Sequence, residues 1–292
     1  MYLFIERCKD MFPVNFLCRV MGVSRSGFYD FQSGKTHHPP PRQVNSVVGE
    51  RFWENFRRYG SRRIAAQLKK EGFCLGRHKV RRIMAEQGLK AIQPRSFVPK
   101  TTDSRNTTQP SPNLLAIEPA PTMPNQIWVG DITYIPLSGS RWAYLAVWMD
   151  LFSRKIVGWQ LETHMKEELI VKALRKAVHT RRPPKQMLVH SDRGGQYEGK
   201  IFRSLLARNC FRQSMSGTGN PYDNAFMESC FGRFKCEVLE GGVFDDFEDA
   251  YTEIFEYIES YYNLKRLHSS LDYRSPAEFE GMFHQKSIQN LH

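Results

Sequence analysis

No run of eighteen apolar residues occurs in the 292-residue sequence, so no segment reads as a transmembrane helix. The first twenty residues include Glu6, Arg7, Lys9, Asp10 and Arg19 and therefore lack a signal-peptide core, which makes a cytoplasmic location the expectation. The six cysteines, Cys8, Cys18, Cys74, Cys210, Cys230 and Cys236, form no C-x-x-C pair. That argues against a zinc module and for reduced, buried thiols. No G-x-x-x-x-G-K followed by Ser or Thr is present, so no ATP-binding P-loop is expected, and no G-x-S-x-G supports a serine nucleophile. Acidic residues are scarce in one region only. Residues 1–100 hold 20 Lys+Arg against 7 Asp+Glu, a net of +13; residues 101–292 hold the remaining 22 and 23, a net of −1. Nearly all of the excess positive charge lies in the first third, which predicts a polyanionic partner for that third.

Residues 93–124 divide the chain. They carry seven of its sixteen prolines (Pro94, Pro99, Pro110, Pro112, Pro119, Pro121 and Pro124), and "TTDSRNTTQPSPN" has no periodicity. This segment reads as a linker or as an extended arm lying on another surface. Upstream, residues 1–92 read as short helices. Residues 12–31 have helix-turn-helix spacing, with Gly22 at the turn and Ser24 as N-cap. A helix over 45–58 has Val47, Val48, Phe52 and Phe56 on one face. Ser61 is placed to cap the next helix, and Gly72 and Gly88 are placed as helix stops. In the helix over 77–87, Val80, Ile83 and Met84 face a core, while Arg77, His78, Arg81 and Arg82 face outward as candidate DNA contacts. The alternative is a solvated basic face on an ordinary helical bundle.

Downstream, strands are expected over 126–137, 141–152, 154–162, 185–191 and 211–216, and helices over 166–181, 198–209, 223–239 and 245–263. The fold class is α/β: a mixed sheet covered by helices over 125–240, followed by a helical tail over 241–292.

Three carboxylates stand out in that frame. Asp131 lies in the middle of the first strand, where its same-face neighbours are Ile127, Val129, Thr133 and Ile135. A charge on an apolar face is costly unless it is paired or metal-bound; the alternative is an Asp bonded to a loop amide. Asp192 follows the fourth strand in "LVHSDRGGQY", at the carboxyl end where open α/β sheets bind ligands. Its alternative is a turn-forming role before Gly194 and Gly195. Glu228 shares a helical stripe with Asn224, Gly232 and Lys235, and a glycine there permits another backbone to come close; the alternative is a solvated Glu on a polar face. Together, two strand Asp and one helical Glu can hold two Mg²⁺ ions, with Mn²⁺ as a possible substitute. Two ions about 4 Å apart suit in-line phosphoryl displacement. Asp150 is expected to bond Ser153 or Arg154 across a turn, and Glu237 to face away from Glu228. His190 and His268 are each open between a nucleic-acid contact and a local structural bond.

Between Asp192 and Glu228 lie 35 residues, and Lys235 follows Glu228 by seven. This spacing resembles the DD(35)E signature of transposases and retroviral integrases, whose cores are ribonuclease H-like. The stretches "WVGDITYI", "YLAVWMDLFSRKIVGW", "HSDRGGQY", "NPYDNAFMES" and "YYNLKRLHSSLDYRSPAEF", with the basic "RRYGSRRIAAQL" and "GRHKVRRIM", resemble second-frame transposases of the insertion sequence three family of bacteria. The resemblance covers nearly the whole chain. It implies Asp131, Asp192 and Glu228 as the catalytic and metal-binding triad, and DNA contact by Lys235; Asn224 of the same stripe is a further candidate DNA contact. It also implies DNA cleavage at element ends followed by strand transfer, and action as a homo-oligomer in a synaptic complex. A copy-out route through a circular intermediate and a first-frame protein or frameshift fusion as partner belong to the same expectation. A structure-specific nuclease with the same triad and a non-enzymatic DNA-binding regulator are the alternatives.

Overall fold

The structure, a computed structural model, describes residues 1–33, 41–93, 111–217, 225–240 and 242–289. The chain forms two compact units, Met1–Lys90 and Ala91–His292.

In the first unit, α1 (Tyr2–Cys8), α2 (Val14–Val20) and α3 (Arg25–Gln32) close around Ile5, Leu17, Cys18 and Phe28. Ser24 caps α3 as expected, its Oγ accepting from Gly27 N at 3.0 Å. A second helical group comprises α4 (Pro41–Glu54), α5 (Ser61–Lys70) and α6 (Arg77–Glu86). Two details differ from expectation. α4 stops at Glu54 because Phe56 and Arg57 take left-handed φ of 51° and 60°, which leaves Phe56 exposed instead of on the buried face. Ser61 is the first residue of α5, and extended Gly60 precedes it with no side-chain cap. Gly72 and Gly88 act as stops, at φ 88° and 67°. The residue after each closes the helix end, Phe73 N donating to Leu68 O at 2.9 Å and Leu89 N to Met84 O at 2.8 Å.

The second unit is built on a five-stranded sheet of order β3-β2-β1-β4-β5. Its strands are β1 (Ile127–Leu137), β2 (Arg141–Asp150), β3 (Ile156–Glu162), β4 (Leu188–Ser191) and β5 (Arg212–Met215). β1, β2 and β3 are antiparallel neighbours, and β4 and β5 run parallel to β1. This is the mixed, ribonuclease H-like α/β arrangement expected. β2 ends two residues early, at Asp150, because that carboxylate accepts from the backbone N of Phe152 and Ser153 at 2.9 and 3.1 Å and folds the chain into a turn.

Side chains alternate across the sheet, so β1 presents two faces. Trp128 and Ile132 join one core with Leu169, Ile170 and Leu174 of α7 (Glu167–Arg181) and Phe202 and Leu206 of α8 (Lys200–Arg208). The odd positions Val129, Asp131 and Ile135 point to the opposite face, where α9 (Ala225–Leu239) and α10 (Phe247–Phe255) lie against β1. The helix expected over 245–263 changes character: α10 gives way to π-helical turns over Glu256–Tyr262, which bury Tyr257, Ile258, Tyr261 and Tyr262.

Residues 111–124 lie along the sheet edge as an arm. Leu114 N and Leu115 N donate to Ser214 Oγ at 2.9 and 3.1 Å, and Glu118 pairs with Arg212 at 2.6 Å. The segment expected as a tail is likewise built into the core. Asn263 exchanges hydrogen bonds with the backbone of Ile156, and Glu280 of α11 (Pro276–Gln289) pairs with Arg181 of α7 at 2.7 Å. All six thiols are free, but only Cys18 and Cys230 are buried; Cys74 and Cys210 are exposed.

Candidate active site

β1 and β4 bring Asp131 and Asp192 to one place. In their parallel ladder Ile127 pairs with Leu188, Trp128 with Val189 and Val129 with His190. Continued two residues, the same offset sets Asp131 beside Asp192, on the face that α9 crosses. Gly130 precedes Asp131 for a packing reason: a Cβ there would run into the Trp148 ring, which folds across the strand from β2.

The two carboxylates are held differently. Asp131 is half-buried and its Oδ1 accepts from Ile132 N at 2.7 Å. Asp192 Oδ1 accepts from Gly194 N at 3.0 Å, and burial pushes its pKa above the ordinary aspartate value against that bond. Gly194 is not left-handed, and the space it leaves is already used: a Cβ would meet Gln196 Oε1 at 2.9 Å and Asp192 Oδ1 at 3.1 Å. The glycine therefore makes room for the site's own carboxylate.

α9 supplies the remaining groups. Lys235 is half-buried; burial pulls its pKa down, and the charge of Asp131 pushes it back up, so ammonium and carboxylate share this face of the sheet. Cys230 is also near Asp131, and burial pushes its thiol to about 11, which keeps it a neutral thiol. Glu228, in the first turn of α9, is exposed. Gly232 faces open space: a Cβ added there would meet no atom within 4 Å, so close backbone approach within this chain is not its role. Asn224 lies outside the described residues.

The donor set matches a divalent metal only in part. Among the described residues no three His, Cys, Asp or Glu side chains converge to hold an ion. The aspartate pair does fit a hard cation: both offer oxygen, both charges act on Tyr197, and burial disfavours the charge on Asp192.

Other expectations resolve locally. Asp150 is structural, as expected: besides the two turn amides, its Oδ2 accepts from Asn125 N at 2.6 Å. His190 is buried between hydroxyls, Nδ1 lying 2.8 Å from Ser214 Oγ and Nε2 3.3 Å from Ser216 Oγ, which makes it a core residue. His268 packs edge-on against Tyr262 and sits 3.4 Å from Arg266 Nη1. Glu237 faces away from Glu228, as expected, and is buried against Arg266. Two further residues, one near the aspartates and one on Glu237, escaped the sequence reading. Tyr197 is buried against Trp148 and Phe202; its hydroxyl has no partner among the described residues, and burial with the charges of Asp192 and Asp131 pushes its pKa well up. The signal available was its place in "HSDRGGQY". Arg266 could have been sought as the cation that a buried Glu237 requires.

In the first unit, α6 buries Val80, Ile83 and Met84 and exposes Arg77, His78, Arg81 and Arg82. The only carboxylate within ion-pair reach of these four among the described residues is Glu86, 3.5 Å from Arg82.

Comparison with known proteins agrees with this layout. Models described as "Integrase core domain" match residues 121–221 and 209–276, and one described as "HTH-like domain" matches residues 46–97. The chain is 39% identical to the insertion element IS600 uncharacterized 31 kDa protein of Shigella sonnei, covering 92% of this chain and 99% of that one. It is 37% identical to transposase InsF for insertion sequence IS3A of Escherichia coli (strain K12), covering 96% and 98%. It is 40% identical to the transposase for insertion sequence element IS904 of Lactococcus lactis, covering 84% and 98%. Among solved structures it is similar to the HTLV-2 integrase catalytic core domain in complex with magnesium, at TM-score 0.41 and 16% identity, over 55% of this chain and 98% of that one. With such identities held across nearly the full length of the IS3 transposase and of this chain, the protein belongs to the IS3 family of DDE transposases.

Proposed function

We propose that this transposase cuts a phosphodiester at each end of its element and joins the freed 3′ end to a second DNA site, using Asp131, Asp192 and Glu228. What supports the reading is the parallel β1–β4 ladder, whose offset, extended past its last pair Val129–His190, aligns Asp131 with Asp192, while α9 lies against β1. In the first step water's oxygen bonds to phosphorus, its proton goes to solvent, and the 3′ oxygen leaves to become a 3′-OH. In the second that 3′-OH bonds to another phosphorus and displaces its 3′ oxygen, so one ester replaces another and no ATP is consumed.

Asp131 and Asp192, joined by Glu228, would hold the divalent cations, two Mg²⁺ in the full reading. Such ions supply activation of the attacking oxygen and charge neutralisation at the leaving oxygen. Asp192 is fixed for this by the Gly194 amide, and Asp131 by the Ile132 amide. Lys235 offsets the negative charge around Asp131 and is suited to meet a DNA phosphate as well. The exposed α6 cations Arg77, His78, Arg81 and Arg82 would grip DNA phosphates independently of the chemistry. Residues 1–92 as the DNA-binding region, 125–240 as the catalytic region, a homo-oligomer joining two element ends, and help from a first-frame segment complete the reading.

The test is strand transfer by purified protein on labelled element-end DNA in Mg²⁺, beside Asp192→Asn. Joined product from the wild type, and none from the variant with DNA binding intact, is expected. Cleavage without joining would replace the transposase reaction by nuclease activity. Activity that survives Asp192→Asn would overturn the site.

A further inference from the structure

Among the described residues Arg154 is a cation without an ion-pair partner. It follows the turn that Asp150 ties down: Arg154 N donates to Asp150 O at 2.8 Å, and its φ is 60°. Both Asp150 carboxylate oxygens are already engaged by the amides of Phe152, Ser153 and Asn125. The Nη1 of the Arg154 guanidinium is buried with no hydrogen-bond partner among the described residues. Burial pulls its pKa below the ordinary arginine value, as expected for a charge taken from water without full compensation. The guanidinium carbon lies 4.3 Å over the ring centroid of Phe226, which is itself 40% exposed. Phe226 stands in the same first turn of α9 as Glu228.

A rigid turn, an aromatic backing and a guanidinium Nη1 with no partner among the described residues together make a receptor for a planar or tetrahedral oxyanion. We propose that Arg154, stacked on Phe226, binds a phosphodiester of the DNA strand entering the active site, next to the helix turn that carries Glu228. The proposal rests on the transposase reading for its ligand. Arg154 fixes the strand's register from one side of α9 and leaves the chemistry to the carboxylates. Phe226 backs the guanidinium from one side.

The experiment measures binding, with the full chain carrying Asp192→Asn so that the DNA stays intact. Element-end duplexes are made with a single neutral methylphosphonate at each position around the scissile bond, and affinity is measured with Arg154 and with Arg154→Gln. One position is expected to cost several-fold with Arg154 and nothing with Arg154→Gln. The plot of log affinity against log salt is also expected to become shallower by about 0.7–0.9. A purely structural arginine would change neither the salt slope nor the position dependence. Identical methylphosphonate penalties and an unchanged slope overturn the proposal. If Arg154→Gln unfolds at assay temperature, Arg154→Lys is read in its place: a smaller penalty at that same phosphate supports the contact, and an unaltered profile overturns it. Because binding is the readout, absence of strand transfer by the wild type would sink the functional reading and leave this result to stand or fall separately.

Discussion

Glu237 and Arg266 form a buried, two-pronged ion pair: Arg266 Nη2 donates to Glu237 Oε1 at 2.6 Å and Nε to Oε2 at 2.8 Å, with both side chains 3% exposed. Tyr257 of the π-helical segment adds a third bond, its OH donating to Oε2 at 2.9 Å. Glu237 lies on α9, so this network bolts the helix that carries Glu228 to residues 257–268. Removing one partner strands the other charge away from water. Arg266→Met is therefore expected to cost about 3–5 kcal/mol. Replacing both, as Glu237→Leu with Arg266→Met, should cost clearly less than the sum of the single changes. Urea melts of the four proteins measure this; additive losses would show that the pair is not coupled.

Glu280 answers to pH. Burial pushes its pKa up, but the bonds from Arg181 at 2.7 and 2.8 Å, with Lys155 and Ser153, outweigh burial and hold it below its ordinary 4.5. A carboxylate depressed by folding stabilises the protein fully above its unfolded pKa, and that contribution is lost as pH falls through the lower folded value. The wild type should therefore lose stability below about pH 4.5 more steeply than Glu280→Gln, whose curve starts lower at pH 7 and runs flatter. Thermal melts from pH 7 to pH 3 compare the two. Parallel curves would remove Glu280 from the acid response.

Gly130 keeps the first aspartate in line. A methyl group there would strike the Trp148 ring, which is fully packed between Tyr197 and Phe202. Gly130→Ala is expected to destabilise by about 1–3 kcal/mol through overpacking. Because Asp131 is the next residue, strand transfer should fall more than DNA affinity. Adding Trp148→Leu, which frees the space, should recover part of the activity; no recovery would mean that the ring is not what the methyl meets.

The strands, the basic helix and the position of Asp131 were readable because each rests on local periodicity. Asp131 broke an apolar alternation, and the opposite charge near it comes from Lys235 of α9. Arg81 and Arg82 alternated with Val80 and Ile83 at helical spacing and emerge exposed. Long-range pairing was not readable. Nothing local announces that Glu237 meets Arg266, or that the 111–124 arm lies on Ser214, because these contacts join segments 29 and 100 residues apart. At Gly194 and Gly232 the sequence shows only a missing side chain, whereas what borders the vacated space depends on the fold: a carboxylate in one case and open space in the other.

The α6 cations offer a test separate from the chemistry. Arg77, His78, Arg81 and Arg82 are exposed, while Val80, Ile83 and Met84 hold the helix in its core, so neutralising the surface should leave the fold unchanged to within about 0.5 kcal/mol. The Arg82–Glu86 pair is 70% and 57% exposed, too open to water to hold Arg82 back from another anion. Each phosphate contact contributes about 0.9 to the slope of log affinity against log salt on duplex DNA. The triple change Arg77→Gln, Arg81→Gln and Arg82→Gln is thus expected to flatten that slope by roughly 2–3. The same change should weaken element-end and unrelated duplexes alike if the three residues touch only the backbone. A larger loss on the element end would instead mark one of them as reading a base edge. An unchanged slope on both would return α6 to an ordinary solvated helix and move the search for the DNA surface to the other cations of residues 1–92.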